Sequence, residues 1–241
     1  MRVLTTLITG FRGLLLMLVF TQAVQAQSCR LALVLALDVS GSVDPAEYAQ
    51  QVNGLASALD HADVRAQLLN GAGATVSLAV FEWSSRNHQY VIQPWVVLDT
   101  AAALDAAILR IRAHRKIRAG LKTALGTALF FGAALLQDQS RCWQKTIDVS
   151  GDGENNIGPT PDQIYQTGAF DQITVNGLVI GAATGPSDDE KPDLLRYYES
   201  EVIHGPASFA MIARGYQDYA AAMRRKLVRE LQLPVLGLAD F

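Results

Sequence analysis

Short runs rich in Val, Leu and Ile alternate along this chain with longer amphipathic stretches. That alternation restricts it to an α/β domain built on a mainly parallel sheet. Leu31–Leu37, Thr75–Phe81, Val91–Val97, Lys145–Val149, Ile173–Ile180 and Phe209–Ala213 read as buried strands. Helices are expected over Tyr48–Leu59, Asp99–Ala113, Thr123–Gln137, Pro192–Ser200 and Tyr216–Leu231. The first is announced by Asp44-Pro45-Ala46-Glu47, a cap, a first-turn proline and an acid. Thr123–Gln137 is apolar nearly all round and should be deeply packed. Only the polar stretch Ser84–Gln89 separates the second and third strands, too little for a crossover helix, so they should form an antiparallel hairpin. The expected architecture is a doubly wound, mainly parallel six-stranded sheet with one antiparallel edge strand and helices on both faces. No internal repeat or low-complexity linker suggests a second domain.

The first 26 residues do not fit that pattern. Arg2 and Arg12 precede the apolar stretch Gly13–Phe20, then come the polar Thr21–Gln25 and Ala26. This is the charged, apolar, small-residue order of a secretory signal, with cleavage expected between Ala26 and Gln27 and a single domain over 27–241. The stretch is too short to span a bilayer, and no later segment reaches about 18 uninterrupted apolar residues. A lipoprotein is the competing reading because Cys29 lies close by, but Ala26-Gln27-Ser28 fits a lipid-attachment site poorly. The expected location is outside the cytoplasm, periplasmic or extracellular.

With 23 acidic against 20 basic residues the chain carries a net charge of −3, which argues against a general nucleic-acid binder. Cys29 and Cys142 are too few for a disulfide-built scaffold and have no zinc-ligand spacing.

Directly after the first apolar run stands Asp38-Val39-Ser40-Gly41-Ser42. Three small oxygen donors on alternate residues of a tight turn can converge on one point, and all-oxygen ligands of that size suit a hard divalent cation such as Mg²⁺. The alternative is a strand-end turn in which Asp38 and Ser40 cap the next helix. Ser150-Gly151-Asp152-Gly153 repeats the arrangement after the fourth strand, where an ordinary Asp-Gly turn is the alternative. Lys122-Thr123-Ala124-Leu125-Gly126-Thr127 opens the most apolar helix, and Thr123 there is either a helix cap or a hydroxyl presented beside the other two turns. In an open α/β sheet such groups collect at the carboxyl ends of the strands.

Together these residues resemble the metal-ion-dependent adhesion site of von Willebrand factor A domains: Asp-x-Ser-x-Ser, a Thr opening a later helix, and an Asp-Gly after the fourth strand. Thr123-Ala124-Leu125-Gly126 looks like the Thr-Ala-Ile-Gly of bacterial members, which selects Thr123 over Thr127. Ile147–Asn156 and Met223–Leu227 look like an exported bacterial A-domain family without assigned function. The resemblance implies one cation, Mg²⁺ with Mn²⁺ or Ca²⁺ as alternatives. Ser40, Ser42 and Thr123 would bind it through hydroxyls, and Asp38 and Asp152 directly or through water. A position left open would be filled by a carboxylate of a protein partner. Asp148, inside the fourth strand where most such domains are apolar, departs from the pattern and needs a hydrogen-bonding partner or a raised pKa.

If Asp38 and Asp152 end adjacent parallel strands, the cysteines meet at the other end, since Cys29 stands nine residues before Asp38 and Cys142 ten before Asp152. A disulfide is expected there, two buried thiols being the alternative. The basic segment Arg110–Lys122 is either a collar that attracts an acidic partner or a solvated helix end. His61, His88, His114 and His204 show no ligand spacing, and no Gly-x-Ser-x-Gly elbow or Ser-His motif is present. A cation-dependent binding module is therefore expected in preference to an enzyme, and no catalytic residue is named. The other readings are a structural interaction module with a vestigial or stabilising metal site, and a secreted hydrolase.

Overall fold

All ten residues of β1 (Cys29–Asp38) are buried, and its side chains divide between two cores. Leu31, Leu33, Leu35 and Leu37 face one, and the smaller Ala32, Val34 and Ala36 face the other. A strand covered on both faces has no need of polar alternation, which is why its sequence reads as a continuous apolar run. The computed structural model describes residues 28–70, 73–117, 120–181 and 193–232. The leader expected over 1–26 and Pro192 lie outside them.

The sheet continues with β2 (Thr75–Trp83), β3 (Gln89–Leu98), β4 (Cys142–Gly151), β5 (Thr174–Gly181) and β6 (Ala210–Arg214), in the spatial order β3-β2-β1-β4-β5-β6. Only the β2–β3 pair is antiparallel. The six expected strands and the edge hairpin are all present. β1 and β4 pair with Cys29 opposite Cys142, and the two are joined by a disulfide. In that register Leu37 meets Ser150, so Asp152 lies one residue beyond the level of Asp38.

The leucine face of the sheet carries α1 (Pro45–Asp60), α2 (Ala62–Asn70), α3 (Ala101–Ala113) and α7 (Tyr219–Gln232). The other face carries α4 (Leu125–Gln137), α5 (Pro161–Tyr165) and α6 (Asp193–Tyr197), the last running into a π turn at Tyr198–Val202. Two helices were not expected from sequence. α2 buries only Val64 and Leu68, and α5 has five residues, so neither shows a stripe long enough to read. The last helix starts at Tyr219 rather than Tyr216, because Tyr216–Asp218 winds as a 3₁₀ turn.

Asp148 explains its own presence by its contacts. Lys226 of α7 places its Nζ 2.7 Å from Asp148 Oδ2 and 2.8 Å from Glu230 Oε1, and all three side chains are buried. Asn176 of β5 donates to Glu230 at 2.7 Å and accepts the Phe209 N–H at 3.0 Å. Two carboxyls share one ammonium, so burial and then the charge of Glu230 push Asp148 up to about 8 against the pull of Lys226. A proton held only in the folded state contributes stability that is complete below the unfolded value of about 4 and is lost as pH rises through the folded one. Stability should therefore decline from mildly acidic to mildly alkaline pH, and Asp148→Asn should reduce that slope. Urea unfolding near pH 5 and near pH 8 measures it; an unchanged slope would put the extra proton elsewhere.

Candidate functional site

The turn after β1 is built by its own side chains. Ser40 N–H donates to Asp38 Oδ1 at 2.8 Å, and Val43 N–H closes the turn on the Ser40 carbonyl at 3.1 Å. Neither residue caps α1. Asp44 does, accepting from the Ala46 and Glu47 amides while the Glu47 carboxylate takes the Asp44 N–H. The hydroxyls of Ser40 and Ser42 are thereby left free of helix-capping duty. They lie 3.2 Å apart, and Ser42 donates to Asp152 Oδ1 at 2.7 Å.

Asp38 is fully buried, and its Oδ2 has no hydrogen-bond partner among the described residues. It is pressed against the end of β4. A Cβ on Gly151 would stand 3.1 Å from that oxygen and 2.6 Å from the Tyr198 hydroxyl, so the close approach requires glycine. Burial, and after it the charge of Asp152, push the Asp38 carboxyl up to about 7, against the pull of hydrogen bonds from Ser40 and the Asp152 amide. Asp152 in turn accepts from the Tyr216 hydroxyl at 3.2 Å through Oδ2. Four of the five expected residues, Asp38, Ser40, Ser42 and Asp152, thus form one connected cluster at the carboxyl ends of β1 and β4.

Thr123 approaches from a third side. A Cβ on Gly153 would lie 3.8 Å from its Oγ1, and one on Gly41 would lie 3.0 Å from the Leu121 carbonyl, so the loop before α4 packs on both turns. The Thr123 hydroxyl accepts from Asn156 Nδ2 at 3.4 Å rather than bonding to the serines or aspartates. Thr123 also stands ahead of α4, which begins at Leu125. The Thr123 N–H goes to Asn156 Oδ1 at 2.9 Å, and the Ala124 N–H to the Ser84 carbonyl at 2.7 Å. Thr123 does not fill the alternative role of helix cap; Asn155 Oδ1 takes the Gly126 N–H at 3.2 Å. Asn155, Asn156 and Tyr216 were not foreseen as site residues. The only signal was two consecutive amides following the Asp152-Gly153 turn.

Among the described residues no three His, Cys, Asp or Glu side chains gather as a metal-ligand group. A cation at this cluster would rest on hydroxyls as much as on carboxylates. The donor set fits one: it is all oxygen, it carries two facing carboxyls, and one buried carboxyl oxygen lacks a donor. Of the basic segment, Lys116 reaches the margin of the cluster and donates to the Val43 carbonyl at 2.6 Å. Arg112, His114 and Arg115 line a groove beside α1 instead.

Solved structures with this fold include a von Willebrand factor type A protein from Catenulispora acidiphila, 18% identical, with a TM-score of 0.58 over 84% of this chain and 43% of that one. Proximal thread matrix protein 1 from the mussel byssus, whose structure has a zinc-occupied MIDAS motif, is 15% identical with a TM-score of 0.57 over 85% and 48%. The pilus adhesin SpaC from Lactobacillus rhamnosus GG is 13% identical with a TM-score of 0.55 over 84% and 30%. The chain spans less than half the length of each of these proteins. At such identities the likeness establishes the von Willebrand factor A fold and nothing finer. No curated protein matches the chain. Residues 28–235 match the family described as "Protein of unknown function (DUF1194)", and the chain belongs to that family.

Proposed function

We propose that this protein is an exported module that binds a protein partner through a divalent cation. The observation that carries the reading is the cluster itself. Asp38 and Asp152 face each other from two strand ends, Ser40 and Ser42 lie between them, and one Asp38 oxygen is buried without a donor. Asp38, Ser40, Ser42, Thr123 and Asp152 would hold the ion, most naturally Mg²⁺, which takes few carboxylates and keeps waters. Bound, the ion would supply a concentrated positive charge for an acidic side chain of the partner. The chain's own part is to fix that position. Ser40 and Gly151 seat Asp38, Ser42 and Tyr216 orient Asp152, and Asn156 holds the Thr123 loop.

Export rests on the residue order of 1–26, and no helix of the described residues is long and apolar enough to cross a membrane. Three of the four histidines contact residues outside the cluster. His61 pairs with Asp63, His114 lies 3.3 Å from Glu82, and His204 stacks on Tyr165. A second reading also has an observation behind it: both Asp152 oxygens already accept hydrogen bonds from Ser42 and Tyr216, as a purely structural network would.

Titration calorimetry with Mg²⁺ separates the two readings. The protein lacking residues 1–26 should bind one equivalent, and Asp38→Ala should bind none while still unfolding cooperatively. Capture of a partner from the exported fraction should likewise depend on Mg²⁺ and be lost in EDTA. Equal heats in the two proteins, or capture indifferent to chelator, would favour the structural network.

A further inference from the structure

A second surface feature lies beside the cluster and takes no part in it. The amino-terminal half of α1 presents Pro45, Tyr48, Ala49 and Val52 along one side, the spacing of a single helix face. The segment that leaves α3 runs across that face as Arg112–Ile117, and the space between is a groove of about 930 Å³. Its volume is that of a small-molecule site, and its floor is apolar. Its opposite wall is cationic, with Arg112, Arg115 and Lys116 on it, and among the described residues no acidic side chain lines the groove.

Two of these cations are held in place before any ligand arrives. Arg115 caps the carboxyl end of α3, donating from Nη1 to the carbonyls of Arg112 at 3.4 Å and His114 at 3.1 Å. Lys116 is fixed by the Val43 carbonyl and lies over the Tyr48 ring at 5.9 Å. The wall itself is anchored by His114, which stacks on Tyr90 and reaches the buried Glu82, already bonded to the Tyr48 hydroxyl. Arg112 has no ion-pair partner among the described residues, and its side chain is exposed. A free guanidinium beside two preset cations, above an apolar floor, is complementary to a molecule with one acidic end and one apolar end.

We propose that this groove binds a small amphiphilic anion, a monocarboxylate with an aliphatic or aromatic body, its body along α1 and its carboxylate on Arg112 and Arg115. The site is distinct from the cation cluster and does not depend on it.

The test uses decanoate as probe, titrated by calorimetry into the protein lacking residues 1–26 in the presence of EDTA, so that no cation can take the carboxylate. Saturable one-to-one binding is expected, about tenfold or more tighter than decyltrimethylammonium, which has the same chain and the opposite charge. Acetate should not bind, because it lacks the body. Arg112→Glu should weaken decanoate about tenfold or more, and Ala49→Trp should abolish binding by filling the floor. Both positions are exposed, so both variants are expected to fold. Absence of saturation, equal binding of the cationic amphiphile, or full retention by Ala49→Trp would each overturn the proposal. So would binding of an acidic apolar peptide without decanoate, which would make the groove a seat for a protein segment.

Discussion

Lys226→Met should destabilise the protein by about 3–5 kcal/mol at neutral pH, the loss typical of stripping one partner from a buried ion pair. Methionine matches the stem of lysine in volume, so packing against Phe209 is nearly preserved and the effect is electrostatic. Glu230 would be left without a counter-charge beside a protonated Asp148, in a region where both are buried. Replacing all three ionisable residues with apolar ones should recover most of the loss, because removing a buried ionic set whole is far less damaging than halving it. Guanidinium unfolding of the single and triple variants decides the matter. A loss below about 1 kcal/mol for Lys226→Met would mean that water already solvates the network, as at an exposed pair.

The double variant Cys29→Ala/Cys142→Ala should lose about 2–5 kcal/mol. The disulfide spans 113 residues of sequence, and for a loop of about 100 residues the chain-entropy model gives about 4.7 kcal/mol. Both half-cystines are buried at the amino ends of β1 and β4, so alanine leaves a small cavity in addition. The ladder between the two strands continues from Leu31–Gln144 to Leu37–Ser150 and fixes the far end independently. Cation binding at the cluster should therefore survive in the folded fraction of the variant, even as its unfolding midpoint falls. Thiol counting on the unreduced, unfolded wild type provides the control, with no free thiol expected.

The strand set was legible because a strand buried on both faces leaves an apolar run that little else produces. The pairing of Cys29 with Cys142 was legible because parallel strands share one rise per residue, so distances of nine and ten residues from two strand-end aspartates put the cysteines within one residue of the same height. The convergence of Asp38, Ser40, Ser42 and Asp152 followed from the same register. What could not be read was anything set by a loop meeting a loop. Thr123 stands ahead of its helix, with its own N–H taken by Asn156 and the Gly126 N–H taken by Asn155, both from another connection. The lysine network left half a signal. Lys226 and Glu230 share a helix stripe with Ala222, Met223, Leu227 and Leu231, and Asp148 stands between the buried Ile147 and Val149 of β4. Each is anomalous by itself, and only the packing of α7 on β4 shows that they answer one another.

The attachment of α7 also has a mechanical meaning. Tyr216, just before it, is hooked to Asp152; Tyr219 bonds to Ser150; Lys226 is seated on Asp148; and the Leu231 carbonyl is held by Arg30. The Lys226 seat works as a detent. A slide of one residue along the helix axis is about 1.5 Å, which would carry the ammonium and Glu230 together past Asp148 while all three remain inside the protein. The tyrosine at its leading end is thereby indexed to Asp152, as a gauge block sets the position of a tool.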